Sequence, residues 1–211
     1  TIPWAIAFGM IVLLAVPLAL WGLSKAYLET DRAAQRARES ERRAAEHLRA
    51  LREIDRAILE GGSVQEIAQA ALARIRVLIP CSRASVALID EAKQESRLLA
   101  VEGAASASAG PNTLVPLSDI GPDVLESLRA GRVHTVPDTH ARTSMKGFFD
   151  HLREQGIRSY LKAPIAFRGS LIGTLNLSFD GVGSPAAEEV ELAAEVADVL
   201  ALAVVQAQLS E

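Results

Sequence analysis

The sequence predicts an α+β fold: an antiparallel sheet flanked by terminal helices, preceded by a transmembrane helix and a long connector helix. Three observations predict it. The run Ile2–Leu23 contains no charged residue. The stretch that follows is rich in Ala, Arg and Glu and has neither Pro nor Gly until Gly61. Beyond Gly61-Gly62, helical periodicity at both ends brackets segments that alternate with a period of two. The 211 residues therefore divide into 1–24, a transmembrane helix; 25–60, a charged helical connector; and 61–211, one soluble domain.

At about 1.5 Å per residue, the apolar run makes roughly 33 Å of helix, enough to cross a bilayer core of about 30 Å. Trp4 and Trp21 stand near its ends and Tyr27 just beyond, where amphipathic rings prefer the interface. The run exceeds the apolar core of a signal peptide, about 7–15 residues, and no small-residue cleavage site precedes the arginines. Lys25, Arg32, Arg36, Arg38, Arg42 and Arg43 all follow it and nothing basic precedes it. The positive-inside rule then places the C-terminal domain in the cytoplasm, on a single-pass protein of the inner or plasma membrane. The lipid bilayer is the first expected partner, with anionic headgroups favoured by these basic residues. Small residues in the run (Gly9, Ala15, Ala19, Gly22) permit close contact with helices of other membrane-complex subunits.

The connector is built of strong helix formers, with Glu39 and Arg43 spaced i,i+4. Ala37, Ala44, Leu51 and Ile58 recur every seven residues, while Glu41 and Asp55 interrupt the second seam. Two readings stay open: a weak coiled coil, which would support a homodimer through the connector and terminal helices, and a solvated single helix.

Gly61-Gly62 ends the connector. Ser63, with Glu66 three residues on, forms a capping box for a helix whose apolar face is Val64, Ile67, Ala68, Ala71, Leu72, Ile75 and Leu78, stopped by Pro80. Ser85–Asp90 and Arg97–Val101 read as strands around a polar turn. Residues 103–112 read as a loop, Asp119–Ala130 as a short helix ended by Gly131, Val133–Val136 as a brief strand, and Ser144–Gln155 as a helix. Arg158–Phe167 and Ser170–Phe179 form a hairpin around Arg168-Gly169. Strict alternation puts Leu171, Gly173, Leu175, Leu177 and Phe179 on one face of the second strand. Ser184-Pro185 opens the last helix, with Pro at its first position.

Composition removes several function classes. A net charge of −4 predicts no nucleic-acid partner. The charge is uneven: from Gly169 to Glu211 there are seven acidic residues and no Lys or Arg. Cys81 is the only cysteine, so neither an intrachain disulfide nor a cysteine-built zinc site is expected; it reads as a small apolar packing residue. His134, His140 and His151 fit no standard metal-ligand spacing, and no metal is expected. Gly181, Gly183 and Ala186 match a dinucleotide fingerprint, but no second parallel strand follows. Asp138 and His140 share a loop without a nucleophile motif, and Asp138 is expected to bond local backbone amides. No catalytic residues are identified, and the chain is expected not to be an enzyme.

The order of elements and four strings within it resemble the GAF domain family. The strings are Leu78 to Asp90 (LIPCSRASVALID); Ala130-Gly131 with Val136-Pro137-Asp138; Gly156 to Ile165 (GIRSYLKAPI); and Leu171 to Leu177 (LIGTLNL). The resemblance covers about residues 45–209 and implies a ligand pocket between sheet and loops, dimerisation through terminal helices, and a sensory role. Pro116-Leu117-Ser118-Asp119-Ile120 looks like part of a motif of bilin-binding members. Gly147 and Phe148 stand where plant-type members carry a Cys-His pair, so a covalent bilin is not implied. Asn176 is followed by Leu177 rather than by the lysine of cyclic-nucleotide-binding members. No cofactor is therefore assigned. Asp119, Asp138, Arg158 and Tyr160 are the candidate pocket residues, Arg158 and Tyr160 because they begin a hairpin strand.

Two functions are expected from this reading. The first is a membrane-anchored, non-catalytic sensory or regulatory module that binds a small molecule or protein. The alternative is a structural accessory subunit of a larger membrane complex, using the transmembrane helix and a degenerate domain as scaffold.

Overall fold

A computed structural model of the chain describes residues 63–103, 110–141 and 152–208, with positions 35, 38, 41, 42, 45, 48, 49 and 52. The chain divides into two compact units, Thr1–Glu46 and His47–Glu211. The described positions of the first unit are helical and exposed. The expected transmembrane helix, the remainder of the connector and most of the expected helix 144–155 lie outside the described residues. Among the described residues, no helix is long and apolar enough to cross a membrane.

In the second unit, positions 48, 49 and 52 are helical, and the first element described in full is α1, Val64–Leu78, with the expected capping box present. The Ser63 hydroxyl accepts from the Glu66 amide at 3.2 Å while the Glu66 carboxylate accepts from the Ser63 amide at 2.8 Å. Two of the helix's otherwise orphaned donors are thus satisfied, and the bonds hold the Glu66 carboxyl below its usual pKa. Strands β1 (Arg83–Asp90) and β2 (Glu95–Gly103) follow, around a turn in which Asp90 Oδ1 accepts from the Ala92 and Lys93 amides, both at 3.1 Å. Next come β3 (Leu114–Pro116), a 3-10 turn at Leu117–Asp119, α2 (Pro122–Arg129), β4 (His134–Val136), β5 (Ser159–Phe167), β6 (Ser170–Phe179) and α3 (Ala187–Gln208). The six strands form one antiparallel sheet in the order β3-β2-β1-β6-β5-β4.

Four details differ from the sequence reading. Strand β3 was not anticipated; three residues are too few for alternation to show, and pairing with Glu95–Arg97 makes the strand. The short helix starts at Pro122 rather than Asp119, because Gly121 at φ +95° breaks the chain direction and Pro122 carries the φ that a first helical turn needs. The last helix starts at Ala187, so Pro185 lies ahead of it, and the Glu189 carboxylate accepts from the Ala186 amide at 2.8 Å. The alternation in β6 is also not strict. Ile165 pairs with Gly173 but Ala166 with Leu171, which leaves Ile172 as an extra residue. This bulge turns Leu171 to the opposite face and brings Ile172 against the main core.

The hairpin turn is as expected. Arg168 and Gly169 both have positive φ, 50° and 81°, the combination a two-residue type I′ turn requires. At Gly173 a Cβ would meet the Ala87 carbonyl oxygen at 2.5 Å, so glycine lets β6 lie close against β1.

The main core lies on one face of the sheet, under α1 and α3. Ile67, Leu72 and Ile75 from α1 and Val196 and Leu200 from α3 pack on Val86, Leu161, Ile165, Leu175 and Leu177. Cys81 is buried in the same cluster, and burial pushes its thiol pKa up. It behaves as the small apolar residue the sequence suggests. A second, smaller cluster occupies one end of the other face: Leu117, Ile120, Val124, Leu125 and Leu128 against Leu171 and Ile89.

Candidate functional site

The other end of that second face is polar. In β5, Leu161, Ala163 and Ile165 enter the main core, so Tyr160 and Lys162 point to the opposite side. In β1, Ala84 and Val86 enter the core, leaving Arg83 and Ser85 on the opposite side. In β6, Leu175 and Leu177 do the same for Asn176 and Ser178. The register then aligns two rows across four strands. One is Ser85–Asn176–Lys162–His134; the next is Arg83–Ser178–Tyr160–Val136. The face thus grades from Leu171 and Ile89 at one end to two cations at the other.

Side chains in the first row are linked. Lys162 Nζ donates to Asn176 Oδ1 at 2.8 Å. Asn176 Nδ2 donates to Ser85 Oγ at 3.3 Å, with the Ser85 carbonyl at 3.4 Å. The Lys162 ammonium also stands 5.7 Å from the centroid of the Tyr160 ring, within reach of the ring's negative face. Arg83 Nη1 donates to Gln155 Oε1 at 2.9 Å, tying the row to the chain entering β5. Burial lowers the Lys162 pKa from 10.5 to about 8, and the like charge of Arg83 lowers it further in the same direction. Burial likewise lowers that of Arg83.

Of the four residues suggested by the sequence, three are near this end of the sheet. Tyr160 is only 3% exposed and packs with Val136 and Leu152. Arg158 immediately precedes β5, and its Nη2 lies 3.9 Å from Asp138 Oδ1. The same Asp138 oxygen accepts from the His140 amide at 2.9 Å, the local turn-forming bond expected of it. Asp119 is elsewhere. It ends the 3-10 turn after edge strand β3, is exposed, and accepts from the Ser118 hydroxyl at 3.2 Å. Its neighbours Leu117 and Ile120 anchor that turn in the smaller apolar cluster.

The sequence reading missed Lys162, Arg83 and Ser85 as a group. One signal was available: a lysine inside the apolar run Tyr160-Leu161-Lys162-Ala163-Pro164-Ile165 of a strand. Thr139 was also missed. It is fully buried, donates from Oγ1 to the Ile157 carbonyl at 2.9 Å, and its own carbonyl accepts from Arg153 Nη2 at 3.0 Å. It holds the loop after β4 to the start of β5.

A separate cleft of about 440 Å³ lies beside the end of the hairpin, lined by Pro80, Ser82, Ser159, Phe179 and the loop 180–185. The Ser159 hydroxyl donates to the Gly181 carbonyl at 2.8 Å, and the Gly183 amide donates to the Pro137 carbonyl at 2.9 Å. Gly181 and Gly183 thus lie in the turn between β6 and α3, tied to β5 and to the loop after β4. Among the described residues, no group of His, Cys, Asp and Glu is arranged to hold a metal ion.

The six-stranded antiparallel sheet with flanking helices is the architecture the family resemblance implies. The GAF domain model matches residues 63–204, and the chain belongs to the GAF domain family. The fold is similar to the phycocyanobilin-bound GAF domain from a cyanobacterial phytochrome, with TM-score 0.68 and 21% identity over 78% of this chain and 97% of that one. The phycoerythrobilin-bound GAF domain from a cyanobacterial phytochrome gives TM-score 0.67 and 20% identity with the same coverage. The chromophore-binding domain of the bacteriophytochrome RpBphP3 from R. palustris gives 0.66 and 14% identity, over 79% of this chain and 64% of that one. These likenesses establish the fold. No curated protein matches the chain.

Proposed function

We propose that the chain is a membrane-anchored sensory or regulatory module, without catalysis of its own, whose GAF domain takes a small molecule on the sheet face opposite α1 and α3. The observation that carries this reading is the linked row Ser85–Asn176–Lys162 on that face. A domain that only scaffolds has no need to hold a lysine there at a raised energetic cost. The similar phytochrome domains hold bilins; here the sequence offers Gly147 and Phe148 rather than a Cys-His pair, so the ligand is bound without a covalent link of that kind. The uncharged run 2–23 supplies the anchor, and the basic residues after it keep the domain on the cytoplasmic side.

The test is native mass spectrometry of the full chain released from its own membrane. A reproducible bound mass, coupled to a raised melting temperature, is expected; a domain that binds no compound from a broad small-molecule panel sinks the reading. Protease digestion of the C-terminal domain in inside-out vesicles checks its side of the membrane, and protection there would overturn it.

A second reading, a structural accessory subunit, draws on two large apolar side chains left exposed on the terminal helices: Val77 on α1 at 75% and Leu202 on α3 at 59%. These also suit the homodimer through terminal helices that the family resemblance implies. Purification from native membrane as a lone homodimer argues against the accessory-subunit role.

A further inference from the structure

We propose that the polar end of the sheet recognises an oxyanion, a carboxylate or phosphate carried by the small molecule that the domain senses. This deepens the sensory reading above and rests on it.

Lys162 is the centre of the case. An ammonium has three N–H donors and needs countercharge when withdrawn from water. Here one donor is used, on the neutral amide of Asn176. Among the described residues no carboxylate forms an ion pair with it, and the charge acting on it most directly is Arg83, of the same sign. Among the described residues, this partly buried face offers Lys162 only an amide and a ring face in exchange. Such an arrangement costs stability unless something negative completes it.

The register supplies the rest of a binding site. Lys162 is the cross-strand partner of Asn176, and Asn176 of Ser85, so amide and hydroxyl lie in line with the ammonium. Arg83 and Tyr160 occupy the adjacent row, one residue pair further along the sheet and linked through Ser178. Neighbouring strands are about 4.8 Å apart, so the rows span roughly 14 Å from β1 to β4. An oxyanion above them takes the remaining Lys162 donors, shields that charge from Arg83, and leaves the body of the ligand free to lie toward the apolar end at Ile89 and Leu171. A neutral ligand can do only the last of these. The depressed pKa of Lys162 agrees with a cation whose counter-ion arrives from outside.

The experiment uses the full chain in detergent micelles with its lysines labelled for NMR. The Lys162 titration is followed in sodium phosphate, sodium succinate and sodium chloride at equal ionic strength. Phosphate or succinate is expected to raise the Lys162 pKa by at least one unit, equivalent to tenfold tighter binding to the charged form, with chloride leaving it near 8. A response to phosphate alone assigns a phosphate ligand, and one to succinate alone a carboxylate. The same anions should raise the melting temperature of the wild type and not of Lys162→Met. Two results overturn the proposal: a Lys162 pKa indifferent to both oxyanions, or a full anion response in Lys162→Met. A neutral compound that binds wild type and Lys162→Met equally overturns the oxyanion while leaving the sensory reading standing. Failure of every neutral and anionic compound to bind removes both.

Discussion

The two faces of the sheet use opposite physics. The face under α1 and α3 is filled by aliphatic side chains from these two helices and four strands, most of them without solvent contact. The opposite face carries an apolar cluster at one end only, and at the other a lysine, an arginine, an asparagine and two serines in register. The same strands, with their period of two, serve both. Stability is therefore concentrated on one side, while the other can hold groups that cost stability and are suited to recognition.

The comparison can be broken first on the dry face. Leu175→Ala or Leu72→Ala, both at positions with no exposure, should cost about 2–5 kcal/mol in denaturant unfolding. A loss below 1 kcal/mol at both positions would show that this face is not the seat of stability. Gly173→Ala comes next. A Cβ there meets a backbone oxygen that cannot move without disturbing β1, and a loss of about 2 kcal/mol is expected in the same measurement.

Lys162→Met should act in the other direction. Folding lowers the Lys162 pKa from 10.5 to about 8, so the folded chain bears a penalty that the methionine lacks. Stabilisation of the order of 1–3 kcal/mol at pH 7 is expected. The sign of the pH effect follows. Between about 8 and 10.5 the unfolded chain binds more protons than the folded one, so stability rises with pH across this window. Below pH 8 both states are charged and this group contributes no slope. Unfolding curves of wild type and Lys162→Met should therefore converge as pH rises from 8 toward 10.5; a constant gap would show that charge burial is not what separates them. The smallest effect belongs to neither face. Ser63→Ala removes the cap of α1 and should cost about 1 kcal/mol, read as a lower unfolding midpoint.

Much of the fold was readable along the chain because its signals are local. The capping box at Ser63 and Glu66 and the hairpin turn at Arg168-Gly169 each involve residues a few positions apart. Strand β3 and the bulge at Ile172 were not readable, since both are defined by the strand opposite. The site divides in the same way. Asp138 was foreseen as a turn former because its bond is to an amide two residues on. Asp119 was grouped with it by resemblance, but the strand order places it after one edge strand while Asp138, Arg158 and Tyr160 gather by the other.

By itself the sequence determined the α+β class, the cap of α1, the central hairpin and the likeness to the family. Tertiary structure alone decided which polar residues meet. Lys162 and Asn176 face each other across the hairpin, but Arg83 and Ser85 come from a strand far back in the chain, and only the order β1-β6-β5 sets all of them side by side. The physical reason is that periodicity specifies which face a side chain takes, whereas pairing between distant strands specifies its neighbours on that face.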